Sequence, residues 1–194
     1  MMETWEIQGV TLEYDDDTHT YLADGVIVPS VTQILSLKFK DQYKGVDEEV
    51  LKRAGQRGTE IHKAIELYCK GEELELSEVR GFKFLQKHYD ISVLANEIPV
   101  LLFENGKPIV AGRTDLLAHV EGKLTLGDIK TTSVLYRKYL TYQLNMYRKA
   151  FEQSYQMDIE RLVGIHLRGN ERKLVDIPID DLAVLELLEM RGKE

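Results

Sequence analysis

The sequence predicts an α/β (α+β) fold in which a mixed central β-sheet is flanked by helices. Three observations predict it. Helical patterns in the first half give way to three β-prone segments joined by short turns, and a long amphipathic helix then leads to two further strands. Short turns make antiparallel neighbours, whereas a strand–helix–strand passage makes a parallel pair. The chain has 194 residues, 43% hydrophobic and 30% charged, which suits one domain with its own core.

The first thirty residues alternate β-prone runs, 10–14 and 20–22, with turn residues Asp15-Asp16-Asp17 and Asp24-Gly25, and read as a small N-terminal β-hairpin. Ser30 and Gln33 form a capping-box pattern that opens a short helix through Leu35. Positions 47–69 read as a helix closed by Gly71, with a break or kink expected at Gly55 and Gly58. Ser77 is placed to cap a helix ending near Tyr89.

Strands are expected at about 94–103, 109–120 and 123–130, with Asn105-Gly106 and Glu121-Gly122 short enough for hairpins. Leu140, Leu144, Tyr147 and Phe151 recur on one side of a helix over 137–155. Strands at 161–167 and 173–177, joined by Gly169-Asn170, precede a closing helix at 180–190 capped by Asp180 or Asp181. The whole reads as a single domain over 1–194. It has a β and helical extension over about 1–45, a core over about 46–180 and a C-terminal helix at about 180–191.

Composition excludes several classes. No stretch approaches the roughly 20 apolar residues that span a bilayer, and the N-terminus lacks the basic and apolar regions of a signal peptide. Cys69 is the single cysteine, so no internal disulfide, cysteine-ligated zinc or iron–sulfur cluster is expected. No GxxxxGK[ST] sequence offers a nucleotide site. These features point to the cytoplasm and to no membrane partner. The net charge of −8 argues against simple electrostatic binding of nucleic acid, but not against carboxylates that recruit cations. Basic residues are locally grouped, as at Lys38, Lys40 and Lys44, or Arg137 and Lys138.

The hairpin around Glu121-Gly122 carries the chemistry. If Val120 pairs with Lys123, following the antiparallel ladder away from the turn brings Asp115 opposite Asp128. Opposite residues share a face with Cβ atoms about 4.5–5.5 Å apart, and Lys130 shares it by strand alternation. Two carboxylates this close repel unless a cation lies between them. A hard ion such as Mg²⁺ or Mn²⁺ meets that need, with Lys130 placed to act on a water or on a charged transition state. The bland alternative is a surface Asp pair with a loose lysine counter-ion. The apolar run around the two acids speaks against it, because buried carboxylates without partners are costly.

Glu97 depends on one residue of loop length. A three-residue loop, Asn105-Gly106-Lys107, turns it toward Asp115; a two-residue Asn105-Gly106 turn pairs it with Thr114, pointing away. Sequence leaves both open.

At these residues the chain resembles the PD-(D/E)XK nuclease superfamily, in particular its RecB-like branch and related phage exonucleases. The matching stretches are Arg57-Gly58-Thr59-Glu60-Ile61-His62, Ala111-Gly112-Arg113-Thr114-Asp115, Gly127-Asp128-Ile129-Lys130-Thr131-Thr132 and Tyr142-Gln143-Leu144-Asn145-Met146-Tyr147. Pro29-Ser30-Val31-Thr32-Gln33-Ile34-Leu35 also looks like the N-terminal region of phage-type members, and together the matches cover roughly 29–150.

The resemblance implies a restriction-endonuclease-like core and a metal-dependent DNA exonuclease of recombination, repair or phage DNA processing. It implies Asp115 and Asp128 as metal ligands, the Ile129 carbonyl as a further ligand, Lys130 as the catalytic lysine and His62 as an additional ligand. Gln143 and Tyr147, four apart on one helix face, are implied to contact DNA or support the site, with Arg57 and Thr131 beside them. Glu66, four residues after His62, either orients its ring or is simply solvated. One or two Mg²⁺ or Mn²⁺ ions, single- or double-stranded DNA ends and a recombination partner protein complete the expectation. An endonuclease of the same superfamily and a non-cutting DNA- or partner-binding protein are the alternatives.

Overall fold

Two-residue turns with both residues at positive φ set the strand registers: Gln8-Gly9, Asp24-Gly25, Asn105-Gly106 and Glu121-Gly122. Their twist matches that of the strands they join, which is why short hairpins favour them. In the computed structural model, which describes residues 2–42 and 44–192, these turns help to build two sheets. Met1, Tyr43, Lys193 and Glu194, included in the one-domain reading, lie outside the described residues.

The first sheet is antiparallel, in the order β1 (Met2–Ile7), β2 (Val10–Asp15), β3 (Thr20–Ala23), β4 (Val26–Val28). The sequence predicts only a hairpin here, so two strands were missed. β1 is an edge strand whose residues are mostly exposed, leaving no apolar alternation to read, and β4 is three residues long. The inner residues Leu12 and Tyr14 pack on Leu101 and Ala111 of the second sheet.

Three helices follow: α1 (Val31–Phe39), α2 (Glu48–Cys69) and α3 (Ser77–His88). Ser30 caps α1 through the expected capping box with Gln33, and the helix runs a turn beyond Leu35. α2 is unbroken through Gly55 and Gly58, contrary to the expected kink. Asp47 caps it, and Arg53 pairs with Glu49 one turn apart. Ser77 does not cap α3. It lies inside the helix, where its hydroxyl donates to Glu78, and the cap residue Leu76 has no polar side-chain atom with which to cap it.

The second sheet has the order β5 (Ile91–Glu104), β6 (Lys107–Val120), β7 (Lys123–Lys130), β8 (Arg161–Arg168), β9 (Glu171–Ile177). β7 and β8 are parallel, connected through α4 (Arg137–Tyr155), and the remaining pairs are antiparallel. α5 (Asp181–Arg191), capped by Asp180, closes the chain. One face of this sheet packs on α1, α4 and α5 through Leu126, Leu144 and Leu187; the other packs on α2 and α3 through Ile65, Phe82 and Leu116. This is the expected mixed-sheet sandwich. No helix among the described residues is long and apolar enough to cross a membrane.

Candidate metal centre and adjoining cleft

The β6–β7 ladder runs in the expected register from Val120↔Lys123 to Leu116↔Gly127 and stops one step short of the two aspartates. Asp115 and Asp128 are therefore neighbours without being a ladder pair, which corrects the expectation of direct opposition. Asp115 Oδ2 accepts from the Ile129 backbone N–H at 2.7 Å, so a side chain takes up a donor that a strand partner would otherwise satisfy. β7 meanwhile continues along β8, where Asp128 faces Gly164. The parting of β6 and β7 opens the site.

Glu97 reaches the site by a route that neither loop alternative contained. The turn is the two-residue Asn105-Gly106 form, with Glu104 opposite Lys107 and Phe103 opposite Pro108. A bulge then leaves Ile109 unmatched and shifts the ladder by one, so that Leu102 pairs with Val110 and Ile98 with Thr114. Pro108, which has no N–H for the ladder, sits at that irregularity. Glu97 consequently falls at the level of Asp115, in a left-handed conformation at φ 52° that is unfavourable for a residue with a Cβ.

His62 comes from the middle of α2. Its Nε2 donates to the Ile129 carbonyl at 2.8 Å, while Nδ1 lies 3.8 Å from Glu97 Oε1 and 3.7 Å from Asp115 Oδ2. Ligand atoms of His62, Glu97 and Asp115 all fall within 4.8 Å of one another. Burial works against the imidazolium, but the Asp115 charge, the contact with Glu97 and the Asp128 charge outweigh it, lifting the His62 pKa to about 9. The Ile129 carbonyl orients the His62 ring.

Asp128 is 2% exposed. Lys130 Nζ donates to its Oδ1 at 2.9 Å and stands 2.7 Å from Oδ2, outside hydrogen-bond geometry, so that Oδ2 is a buried oxygen without a hydrogen bond. Burial, reinforced by Asp115 and opposed by Lys130, raises the Asp128 pKa. Burial also works against the Lys130 ammonium, yet Asp128 and Asp115 hold it charged, with its pKa above the ordinary value. Strand alternation puts Asp115, Asp128 and Lys130 on the sheet face that packs on α4.

α4 brings Gln143 and Tyr147 to that face. Gln143 is buried and its Oε1 has no hydrogen-bond partner. The Tyr147 ring lies against Gly112, where a Cβ would stand only 2.8 Å from its Cε1. A cavity of about 430 Å³ opens beside Lys130, His62, Thr131 and Gln143, with Gly55 and Gly58 of α2 in its opposite wall.

Two expected site residues lie elsewhere. Arg57 is engaged with Glu78 at 3.1 Å and Glu60 at 3.4 Å on the flank of α2. Glu66 does not orient His62; it accepts from Lys63 and Lys70 on its own helix, and that pairing lowers its pKa. Arg113, given no role by sequence reasoning, approaches Glu97 at 3.4 Å and Glu3 at 2.9 Å, with its guanidinium 4.9 Å from the Tyr14 ring centre. The signal for it was absent from local pattern, since Glu3 and Tyr14 lie about a hundred residues away in sequence.

No family model matches the chain, and no curated protein does. Among solved structures, a crystal structure of SSO0001 is similar, with TM-score 0.51 and 17% identity over 86% of this chain and 76% of that one. At this identity the likeness concerns the fold.

Proposed function

We propose that the protein is a Mg²⁺- or Mn²⁺-dependent deoxyribonuclease with a PD-(D/E)XK, restriction-endonuclease-like core. In this reading it acts from DNA ends as an exonuclease, in cytoplasmic recombination, repair or phage DNA processing with a recombination partner protein. One observation carries the reading. His62, Glu97 and Asp115 converge at the point where β6 and β7 part, beside a buried Lys130–Asp128 pair that borders a cavity.

The donor set fits a divalent ion. Carboxylate oxygens with one imidazole nitrogen suit Mn²⁺ or Mg²⁺, and His62, Glu97 and Asp115 bring their ligand atoms within 4.8 Å of one another. His62 Nδ1, Glu97 and Asp115 would hold the ion, with Asp128 completing the set from the β7 side. When bound, the ion supplies Lewis-acid polarisation of a phosphate oxygen and a more acidic water.

The chain's own groups supply the rest. Ile129 fixes the His62 ring through its carbonyl, so that Nδ1 faces the carboxylates. Lys130, charged and anchored on Asp128, donates to a phosphate oxygen as negative charge grows during attack of water on phosphorus. The phosphorus–oxygen ester bond breaks; the attacking water gives up a proton to solvent, and the leaving oxygen takes one up from solvent. Gln143 and Thr131, in the cavity wall, contact the strand being cut.

The test is end-labelled linear DNA beside covalently closed circles, incubated with Mg²⁺, Mn²⁺ or EDTA. Metal-dependent shortening of linear DNA is expected, lost in Lys130→Ala and Asp128→Ala. Cutting of closed circles would turn the assignment to an endonuclease. Equal inactivity of wild type and Asp128→Ala would leave a DNA- or partner-binding protein.

A further inference from the structure

The N-terminal half of α2 is unusual. Across Glu48–Glu60 no residue is buried, and the first buried side chain of the helix is Ile61. Short helices depend on packing an apolar face for their stability, yet this half packs on little. Its Leu51, Gly55, Gly58 and His62 fall at successive turns on one stripe, and all four line the cavity opposite α4.

Gly55 sharpens the point. Glycine is unfavourable in a helix interior, and it is tolerated where another group must approach closely. Among the described residues nothing does, since a Cβ at Gly55 would meet none of their atoms within 4 Å. The missing side chain leaves open space toward the cavity instead of relieving a clash.

The other walls have matching chemistry. Gln143 contributes the buried Oε1 that lacks a hydrogen bond, and Leu135, Leu140 and Tyr139 contribute apolar surface. A nucleobase has this combination, apolar faces with a polar edge that donates and accepts. Lys130 lies at the inner end, toward the metal centre. At the other end a second pocket of about 580 Å³ shares Tyr136 and Tyr139 and adds Lys38, Arg137 and Lys138. Lys38 is paired with Glu186 and Asp41 shares the lining, so Arg137 and Lys138, beside the exposed Tyr136, are the cations that suit a phosphate backbone with an unstacked base.

We propose that the cleft between α2 and α4 seats one nucleotide of an unpaired DNA strand. The base lies between the α2 backbone at Gly55 and the Gln143 amide, and the strand leaves past Tyr136 toward Arg137 and Lys138. The inference rests on the nuclease reading and narrows its substrate to single strands and single-stranded tails. A blunt duplex keeps its bases stacked and paired, and presents only backbone to such a cleft.

Fluorescence anisotropy in EDTA, which stops metal-dependent turnover, tests it with a labelled single strand, a blunt duplex and a tailed duplex. The single strand and the tailed duplex are expected to bind roughly tenfold tighter than the blunt duplex. Gly55→Leu should lose roughly tenfold in strand affinity, while the melting temperature holds or rises. Gly55→Ala should raise the melting temperature by about 2–4 °C and weaken strand binding less, and it carries the test if Gly55→Leu does not fold. Equal affinity for blunt duplex, or wild-type strand affinity in a folded Gly55 variant that fills the cleft, overturns the inference and leaves the cleavage assay untouched. Strand binding in the expected order by a protein that cuts no DNA with Mg²⁺ or Mn²⁺ supports the seat and overturns the nuclease reading.

Discussion

His62 Nε2 donates to the Ile129 carbonyl at 2.8 Å, and this single bond ties the middle of α2 to the Asp128–Lys130 segment of β7. It also settles which ring nitrogen faces Glu97 and Asp115. Under the proposed reading, an imidazole held in this way would already have the orientation that metal binding needs, so ordering it would cost little entropy.

Metal binding should release a proton. His62, with its pKa lifted to about 9, is protonated at pH 7, and an imidazolium cannot ligate a metal. We expect Mn²⁺ affinity to rise between about pH 6 and pH 9. Calorimetry in buffers of different ionisation enthalpy should count close to one proton released per ion at pH 7, a signal that His62→Gln removes. In the metal-free protein the sign is opposite. A raised histidine pKa contributes stability that is present below about 6.5 and lost as pH climbs through about 9. A proton count unchanged in His62→Gln would assign the release to another group.

Lys130→Ala should abolish turnover and also expose a stability cost. Removing the ammonium leaves Asp128 buried without its ion partner, a loss on the order of 3 kcal/mol at neutral pH. Asp128 in that variant has a folded pKa still higher than in the parent, so the deficit shrinks as acid protonates the carboxyl. Urea denaturation at pH 5 and pH 8 checks this, and a deficit that is larger at pH 5 would contradict it. Divalent metal, by satisfying Asp128, should return part of the loss.

Arg113 should act on metal affinity without touching the ion. It links Glu97 to Glu3 and stacks over Tyr14, so the N-terminal sheet braces Glu97, which sits in an unfavourable backbone conformation. Arg113→Gln is expected to weaken Mn²⁺ binding by roughly tenfold in a protein that still folds. Arg113→Lys should not restore it, because an ammonium lacks the planar fork that reaches both carboxylates. Titration calorimetry of the three proteins is the check; unchanged affinity in Arg113→Gln would remove the brace from the account.

Gly112→Ala should destabilise through a specific clash. The new methyl would stand 2.8 Å from Tyr147 Cε1 and 3.3 Å from Val31 Cγ2, and overpacking of this kind costs about 1–3 kcal/mol. Shortening the opposing ring with Tyr147→Leu in the same chain should recover part of it. Thermal unfolding of the single and double variants measures the coupling, and strictly additive losses would show that the two positions do not meet.

Much of this architecture was legible locally. The type I′ turn at Glu121-Gly122, the capping box at Ser30 and Gln33, and the α4 periodicity are short-range patterns, and each element they announce is present. Alternation likewise brought Lys130 to the Asp128 side of β7. The expected kink at Gly55 and Gly58 failed because local helix propensity is a weak constraint once Asp47 caps the start and Ile61, Ala64 and Ile65 anchor the end of α2.

Sequence by itself determined the pair Asp128–Lys130 and the approach of Asp115 to within one ladder step of it, because strand period and turn length are properties of neighbouring residues. Only the tertiary structure decided that Glu97 turns inward, through a bulge at Ile109, and that Arg113 braces it from a sheet near the N-terminus. It likewise decided that α2 and α4 face each other across an open cleft. Those outcomes depend on where distant segments pack and how one unmatched residue shifts a ladder, and neither leaves a periodic trace in the chain.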